Sequence, residues 1–228
     1  MFETFGGYLI YFALLMVIPF WASSRVKSTY RKYSNVVSSS RMTGAEVARK
    51  ILNDNGLFNV VVQPVKGHLT DHYDPSKKEV RLSKHNYYGN SVAGVAVAAH
   101  EVGHAMQDAE SYSFLRFRHT LVPVANFGSN SAIFLIIGGM IFDMGNLILA
   151  GIVFMSFAVL FQLVTLPVEF NASSRAMEQV VSVGVIRNDE ERKTKKVLNA
   201  AALTYVAAAL VAVAELMRFI MMYTASND

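Results

Sequence analysis

Residues 120–168, TLVPVANFGSNSAIFLIIGGMIFDMGNLILAGIVFMSFAVLFQLVTLPV, carry one charged side chain, Asp143. A helix needs about 20 mostly apolar residues to cross a hydrocarbon core of ~30 Å. Residues 120–142 and 144–168 each meet that length, and only Asp143-Met144-Gly145-Asn146 connects them. So short a connection forces an antiparallel helical hairpin. The stretch therefore predicts a membrane protein rather than a soluble domain.

Working outward, two further apolar stretches complete a set of about four spans. Residues 5–22 form the first; residues 198–224 form the last, charge-free to Ala214 and then interrupted by Glu215 and Arg218. An ion pair at i, i+3 is the cheapest way to keep those two near a membrane end. As charges within a span they also raise a transporter as a weaker reading. The first stretch follows Glu3 rather than a basic run, and no A-x-A site follows it, which predicts a retained anchor and not a cleaved signal. The composition agrees: of 228 residues 53% are apolar and 17% charged. The net charge of +4 comes without a basic stripe interleaved with aromatics, so nucleic acid is not an expected partner.

Every Lys and Arg except Arg218 falls in residues 23–119 or 169–197, whereas Glu3, Asp143 and Asp228 are the charges at the two ends and the hairpin turn. Basic residues in short flanking loops mark the cytoplasmic side. Both polar segments are expected on the cytoplasmic side of the membrane and both termini outside. Residues 25–40, basic and serine-rich, suit either a stretch lying on anionic headgroups or a solvated linker.

Within 23–119 the periodicity changes twice. Thr43 and Glu46 form a capping box, Val47, Ala48, Ile51 and Leu52 recur at helical spacing, and Gly56 is a stop signal. From Asn59 to Ser83 the segments NVVVQPV, HLTDHYD and EVRLS, separated by turn residues, predict a small antiparallel sheet of two or three strands. Asn90 and Ser91 can then cap a helix over 91–109, SVAGVAVAAHEVGHAMQDA, whose small apolar residues predict burial.

That buried helix carries His100, Glu101 and His104. Four residues apart on a helix of 3.6 residues per turn, the two imidazoles share a face with the carboxylate beside them. Unpartnered, such groups would cost several kcal/mol in an apolar interior. A zinc ion satisfies them: two neutral imidazoles and a third protein ligand bind it, and the glutamate acts on the water that the metal activates. The chain has no cysteine, so the remaining ligand must be His, Asp or Glu. His68, His72, His85, His119 and Glu169 are candidates. Glu169 stands out as a lone carboxylate closing a long uncharged stretch, on the same predicted side as the histidines. Asn171 and Arg175, one to two turns beyond it on a continued helix, are candidate supports, though Arg175 could simply snorkel.

The stretches GHLTDHYDPSKKEVRLS (67–83), SVAGVAVAAHEVGHAMQ (91–107) and PVEFNASSRA (167–176) resemble the YugP-like neutral zinc metallopeptidases, a group of bacterial membrane proteins. The resemblance covers nearly the whole chain. It implies a mainly α membrane protein of about four transmembrane helices with a small cytoplasmic α+β domain, zincin-like and of the gluzincin type. It implies one Zn2+ per chain on His100, His104 and Glu169, with Glu101 as catalytic base, and peptides or membrane proteins as substrates. The 67–83 region looks like the edge strand on which zincins seat an extended substrate; alternatively Asp71 or His72 orients a ligand histidine, or the region is a plain surface hairpin.

The expected arrangement is thus an anchor at 5–22, a catalytic region at 23–119, the hairpin at 120–168, a third-ligand segment at 169–197 and a last span at 198–224. The expected chemistry is peptide hydrolysis, with His119, Tyr87, Tyr88 or Arg175 available as an oxyanion donor. The rival expectation is a catalytically silent zinc-binding scaffold or assembly factor. A regulatory partner would suit a site so near the bilayer, but no residue pattern points to one.

Overall fold

The computed structural model describes residues 5–225. Glu3 and Asp228, which entered the charge comparison above, lie outside the described residues. In chain order the elements are α1 (Phe5–Ser34), α2 (Gly44–Asp54), β1 (Val61–Val65), β2 (His72–Asp74), β3 (Glu79–Ser83), α3 (Lys84–Tyr88), α4 (Val92–Ala109), α5 (Ser113–Ile141), α6 (Gly145–Ser182) and α7 (Asn188–Ala225). Four helices, α1, α5, α6 and α7, are long and apolar enough to cross a membrane.

These helices outrun the apolar stretches that announce them. α1 continues through the basic residues to Ser34, and α6 continues fourteen residues past Val168, to Ser182. The hydrophobic window measures lipid contact, while the helix itself ends only where the backbone finds another partner. Residues 25–34 are therefore helical rather than a linker.

The chain divides into two compact units. The first comprises Met1–Trp21, Ser113–Pro167 and Tyr205–Asp228. Its hairpin turns at Asp143, whose φ is 51°, and the two helices approach so closely that a Cβ on Gly128 would lie 2.6 Å from the Phe154 carbonyl oxygen. Small residues at such crossings are how helices associate in lipid, where burial of apolar surface supplies no drive. Arg218 pairs with Glu215 at 2.6 Å and lies over the Phe219 ring, 4.0 Å from its centroid. The expected i, i+3 ion pair is present.

The second unit comprises Ala22–Tyr112 and Val168–Thr204. α2 starts with the capping box read from the sequence, Thr43 and Glu46 bonding each other's backbone amides, and it stops at Gly56, whose φ of 71° suits glycine. Its buried face, Val47, Ala48, Ile51 and Leu52, joins Val80 and Leu82 of β3 and Val92, Val95 and Val102 of α4 in one core.

The sheet corrects the sequence reading. Its order is β1-β3-β2; β2 pairs antiparallel to β3, but β1 pairs parallel to it, Val61 opposite Glu79 through Val65 opposite Ser83. It is a mixed sheet, not an antiparallel one. The segment after Lys66-Gly67 crosses over instead of turning back, and only the 74–79 connection is a hairpin, in which Asp74 accepts bonds from the Ser76 and Lys77 amides. β1 and β2 consequently both lie at edges.

Candidate metal centre

α4 begins where Ser91 accepts a bond from the Gly94 amide, and the backbone of residues 36–38 bonds both sides of this cap. From that fixed start the helix runs buried on nearly every face. Its site residues face α6. The approach is permitted by Gly103, between the two histidines: a Cβ there would stand 2.6 Å from the Ala172 carbonyl oxygen. Only glycine lets the motif helix come this near the backbone beside Glu169.

The structure brings His100, His104 and Glu169 together. One ligand atom from each lies within 4.8 Å of the others, His100 Nε2 at 3.3 Å and His104 Nε2 at 3.6 Å from Glu169 Oε2. Glu169 is 2% exposed. These three residues form the group that could hold a metal ion.

The far sides of the rings are held too. Buried Gln107, which was not among the sequence candidates, donates from Nε2 to the Val168 carbonyl at 2.8 Å and to Asn171 Oδ1 at 2.9 Å. A backbone carbonyl can only accept, so this assignment fixes the amide, and Oε1 is what faces His104 Nδ1 at 3.0 Å. His104 Nδ1 therefore carries a proton that it donates to Gln107. In the neutral ring the Nε2 lone pair is then left pointing at the Glu169 carboxylate. His100 is held likewise, with Ser173 Oγ 3.2 Å from its Nδ1. Lone pairs on two imidazoles and a carboxylate converging in a buried space require a cation between them. That donor set, all nitrogen and oxygen with three protein ligands, fits zinc with a position left open.

The support extends outward from there. Asn171 Oδ1 also accepts from Arg175 Nε at 2.8 Å, and the Arg175 guanidinium makes a two-pronged pair with Glu110 at 2.7 Å for each bond. Arg175 thus neither snorkels nor stands free to meet an oxyanion. Its hydrogen bonds, with its charge adding to them, hold the Glu110 carboxyl below the usual range. Gln107 follows His104 by one helical turn, and that spacing was the available signal for it.

Among the described residues, the group that could hold a metal includes none of the other sequence candidates. Asp71 accepts from the Ser83 amide and from Asn86 Nδ2, and so fixes the β3–α3 junction rather than gripping a ligand ring. His72 is exposed on β2, its Nδ1 2.8 Å from the Thr70 carbonyl oxygen; His68 and His85 are exposed as well. His119 belongs to α5 in the other unit. Tyr87 and Tyr88 stack edge to face with each other on α3.

Electrostatics set Glu101 apart. Burial, partly offset by the neighbouring histidines and reinforced by the charges of Asp71 and Glu169, pushes its carboxyl above the ordinary range. Burial alone would pull His104 down, but its bonds and proximity to Glu169, Glu101 and Gln107 outweigh that and leave the imidazole above its ordinary value.

A family model described as "Putative neutral zinc metallopeptidase" matches residues 8–224. A protein of Bacillus subtilis (strain 168) named "Putative membrane protease YugP" is 57% identical over 211 residues, which cover 92% of this chain and 94% of the relative. No solved structure matches.

Proposed function

Because the chain belongs to this family of neutral zinc metallopeptidases, we propose that it is a membrane-embedded zinc peptidase whose ligands are His100, His104 and Glu169 and whose general base is Glu101. The observation that carries the reading is the convergence of His100 Nε2 and His104 Nε2 on Glu169 Oε2, with a second buried carboxylate, Glu101, next to His100 on the same helix. Zinc, when bound there, supplies a Lewis acid that polarises the scissile carbonyl and acidifies water.

Glu101 removes the proton from the attacking water and returns it to the leaving amine. A carboxyl that burial raises above its ordinary range is better suited to that exchange than an exposed one, because its proton affinity is moved toward neutrality. Gln107 and Ser173 hold the two imidazoles in the tautomer that presents Nε2, and Glu169 neutralises part of the ion's charge. β2, an edge strand whose Tyr73 hydroxyl bonds Asp108 of α4 at 2.6 Å, offers its free edge to an extended peptide.

The basic residues flanking the apolar segments support a site at the cytoplasmic face with both termini outside, and the relative from Bacillus subtilis supports a bacterial plasma membrane. Membrane proteins or peptides at that surface are the substrates, cleaved within the chain. The deciding test is Glu101→Gln in the detergent-purified protein. Hydrolysis of a quenched fluorogenic peptide falls by about a hundredfold or more while zinc content is unchanged. Undiminished hydrolysis contradicts the role of Glu101, and a zinc-loaded wild type with no hydrolysis of any peptide supports the silent scaffold instead.

A further inference from the structure

A separate cleft lies in the same unit. The C-terminal part of α1 and the N-terminal half of α7 line a cleft of about 440 Å³, with Arg25 and Lys32 from one helix and Lys196 from the other, and Asn199, Ala200 and Leu203 among the residues of its wall. No carboxylate lines it.

Several basic side chains of this molecule are neutralised by carboxylates, whereas the three that share this cleft are not. Elsewhere Lys78 pairs with Asp108, Arg81 with Asp74 and Glu79, Arg175 with Glu110, and Lys193 with Asp189 on α7 itself. Among the described residues Arg25, Lys32 and Lys196 make no ion pair, and the one charge contact of the three is Lys32 over the Tyr33 ring at 5.7 Å. Three like charges around one cleft repel one another unless an anion joins them.

The position of the cleft says which anion. Arg25 comes just after the apolar residues 5–22 of α1, and Lys196 just before the apolar residues from 198 of α7, so the cations gather at the polar ends of two apolar segments. Ala200 and Leu203 are the next turns of α7 into its apolar stretch. A ligand that fits both halves has a phosphate at one end and a hydrocarbon chain at the other.

We propose that this cleft is a binding site for one anionic phospholipid, its phosphate held by Arg25, Lys32 and Lys196 and an acyl chain laid along Ala200 and Leu203. The site depends on the apolar helices crossing a bilayer and is independent of the peptidase reading. Free inorganic phosphate shares the charge but not the chain.

The test titrates the full-length protein in zwitterionic detergent with phosphatidylglycerol, phosphatidylcholine and inorganic phosphate, and native mass spectrometry counts what binds. One phosphatidylglycerol per chain binds the wild type, phosphatidylcholine binds about tenfold more weakly or less, and millimolar phosphate does not displace the lipid. The double variant Arg25→Gln/Lys196→Gln, at exposed positions where folding is not at stake, loses about thirtyfold in affinity for phosphatidylglycerol. The control Lys77→Gln/Lys84→Gln retains it. Equal binding of the two lipids, an unaffected Arg25→Gln/Lys196→Gln variant, or displacement by phosphate at matching strength overturns the proposal. Zinc content is recorded in parallel, so a failed lipid site and a failed metal site are told apart.

Discussion

Gln107 Oε1 accepts the Nδ1 proton of His104 at 3.0 Å, while both protons of its own amide are committed to the Val168 carbonyl and to Asn171. A fully buried amide with every bond made leaves His104 one tautomer and one ring orientation. Gln107→Leu removes the acceptor and strands the Val168 and Asn171 partners. Zinc affinity, measured by chelator competition, falls about 10- to 100-fold, the size expected when a ligand's outer partner is lost. Glu101 is untouched by this change. Unaltered affinity in a folded variant would show that the ring is positioned without Gln107.

Gly103 gives a prediction whose sign separates two effects. By helix propensity alone, Gly103→Ala should stabilise α4 by up to about 1 kcal/mol. The Ala172 carbonyl oxygen, 2.6 Å from the added Cβ, predicts the opposite. The variant is expected to melt at lower temperature and to hold zinc less well, because α4 and α6 are forced apart where His100, His104 and Glu169 meet. A melting temperature at or above wild type would contradict the close approach.

What was legible in the sequence follows what each signal measures. Hydropathy finds the four long helices because lipid contact is a local demand on composition. Helical spacing finds His100, Glu101 and His104, and the lone carboxylate after residues 144–168 singles out Glu169. The parallel pairing of β1 with β3 was not legible: an alternating strand reads the same in either direction, and the crossover after Gly67 differs from a hairpin only in tertiary contacts. Gln107 was missed for a related reason. Its importance comes from facing Val168 and Asn171, sixty residues away in sequence, and polarity at a helix end ordinarily means solvent. Arg175 was read from position alone, and Glu110, its partner, carries no motif.

The shifted carboxyl and imidazole give a pH dependence with a definite sign. In the metal-free protein His104 and Glu101 both hold protons more tightly than in the unfolded chain. The His104 contribution is present below the unfolded value of about 6.5 and is lost as pH rises through the higher folded value; that of Glu101 is likewise lost as pH rises from about 4.5. Zinc competes with protons for the ligand atoms, so its binding strengthens as pH rises. The difference in melting temperature between zinc-loaded and EDTA-treated protein widens from pH 6 to pH 8. A difference that is flat or shrinks over that range would mean that protons and metal do not compete at His104.

The outer support predicts a graded effect. Glu110→Gln releases one arm of Arg175 at an exposed position, leaving Asn171 and Gln107 in place. Zinc affinity is expected to drop less than tenfold, well short of Gln107→Leu. The same chelator competition ranks the two, and a larger loss for Glu110→Gln would place the control of His104 elsewhere.

The account rests on Glu169 reaching the same ion as His100 and His104. Zinc per chain, measured by elemental analysis on the detergent-purified wild type and on Glu169→Ala, tests this most directly, with size-exclusion and melting profiles confirming that the variant is folded. The account predicts one zinc per wild-type chain and a folded Glu169→Ala that retains little or none at the same free zinc. Full occupancy in Glu169→Ala would contradict it.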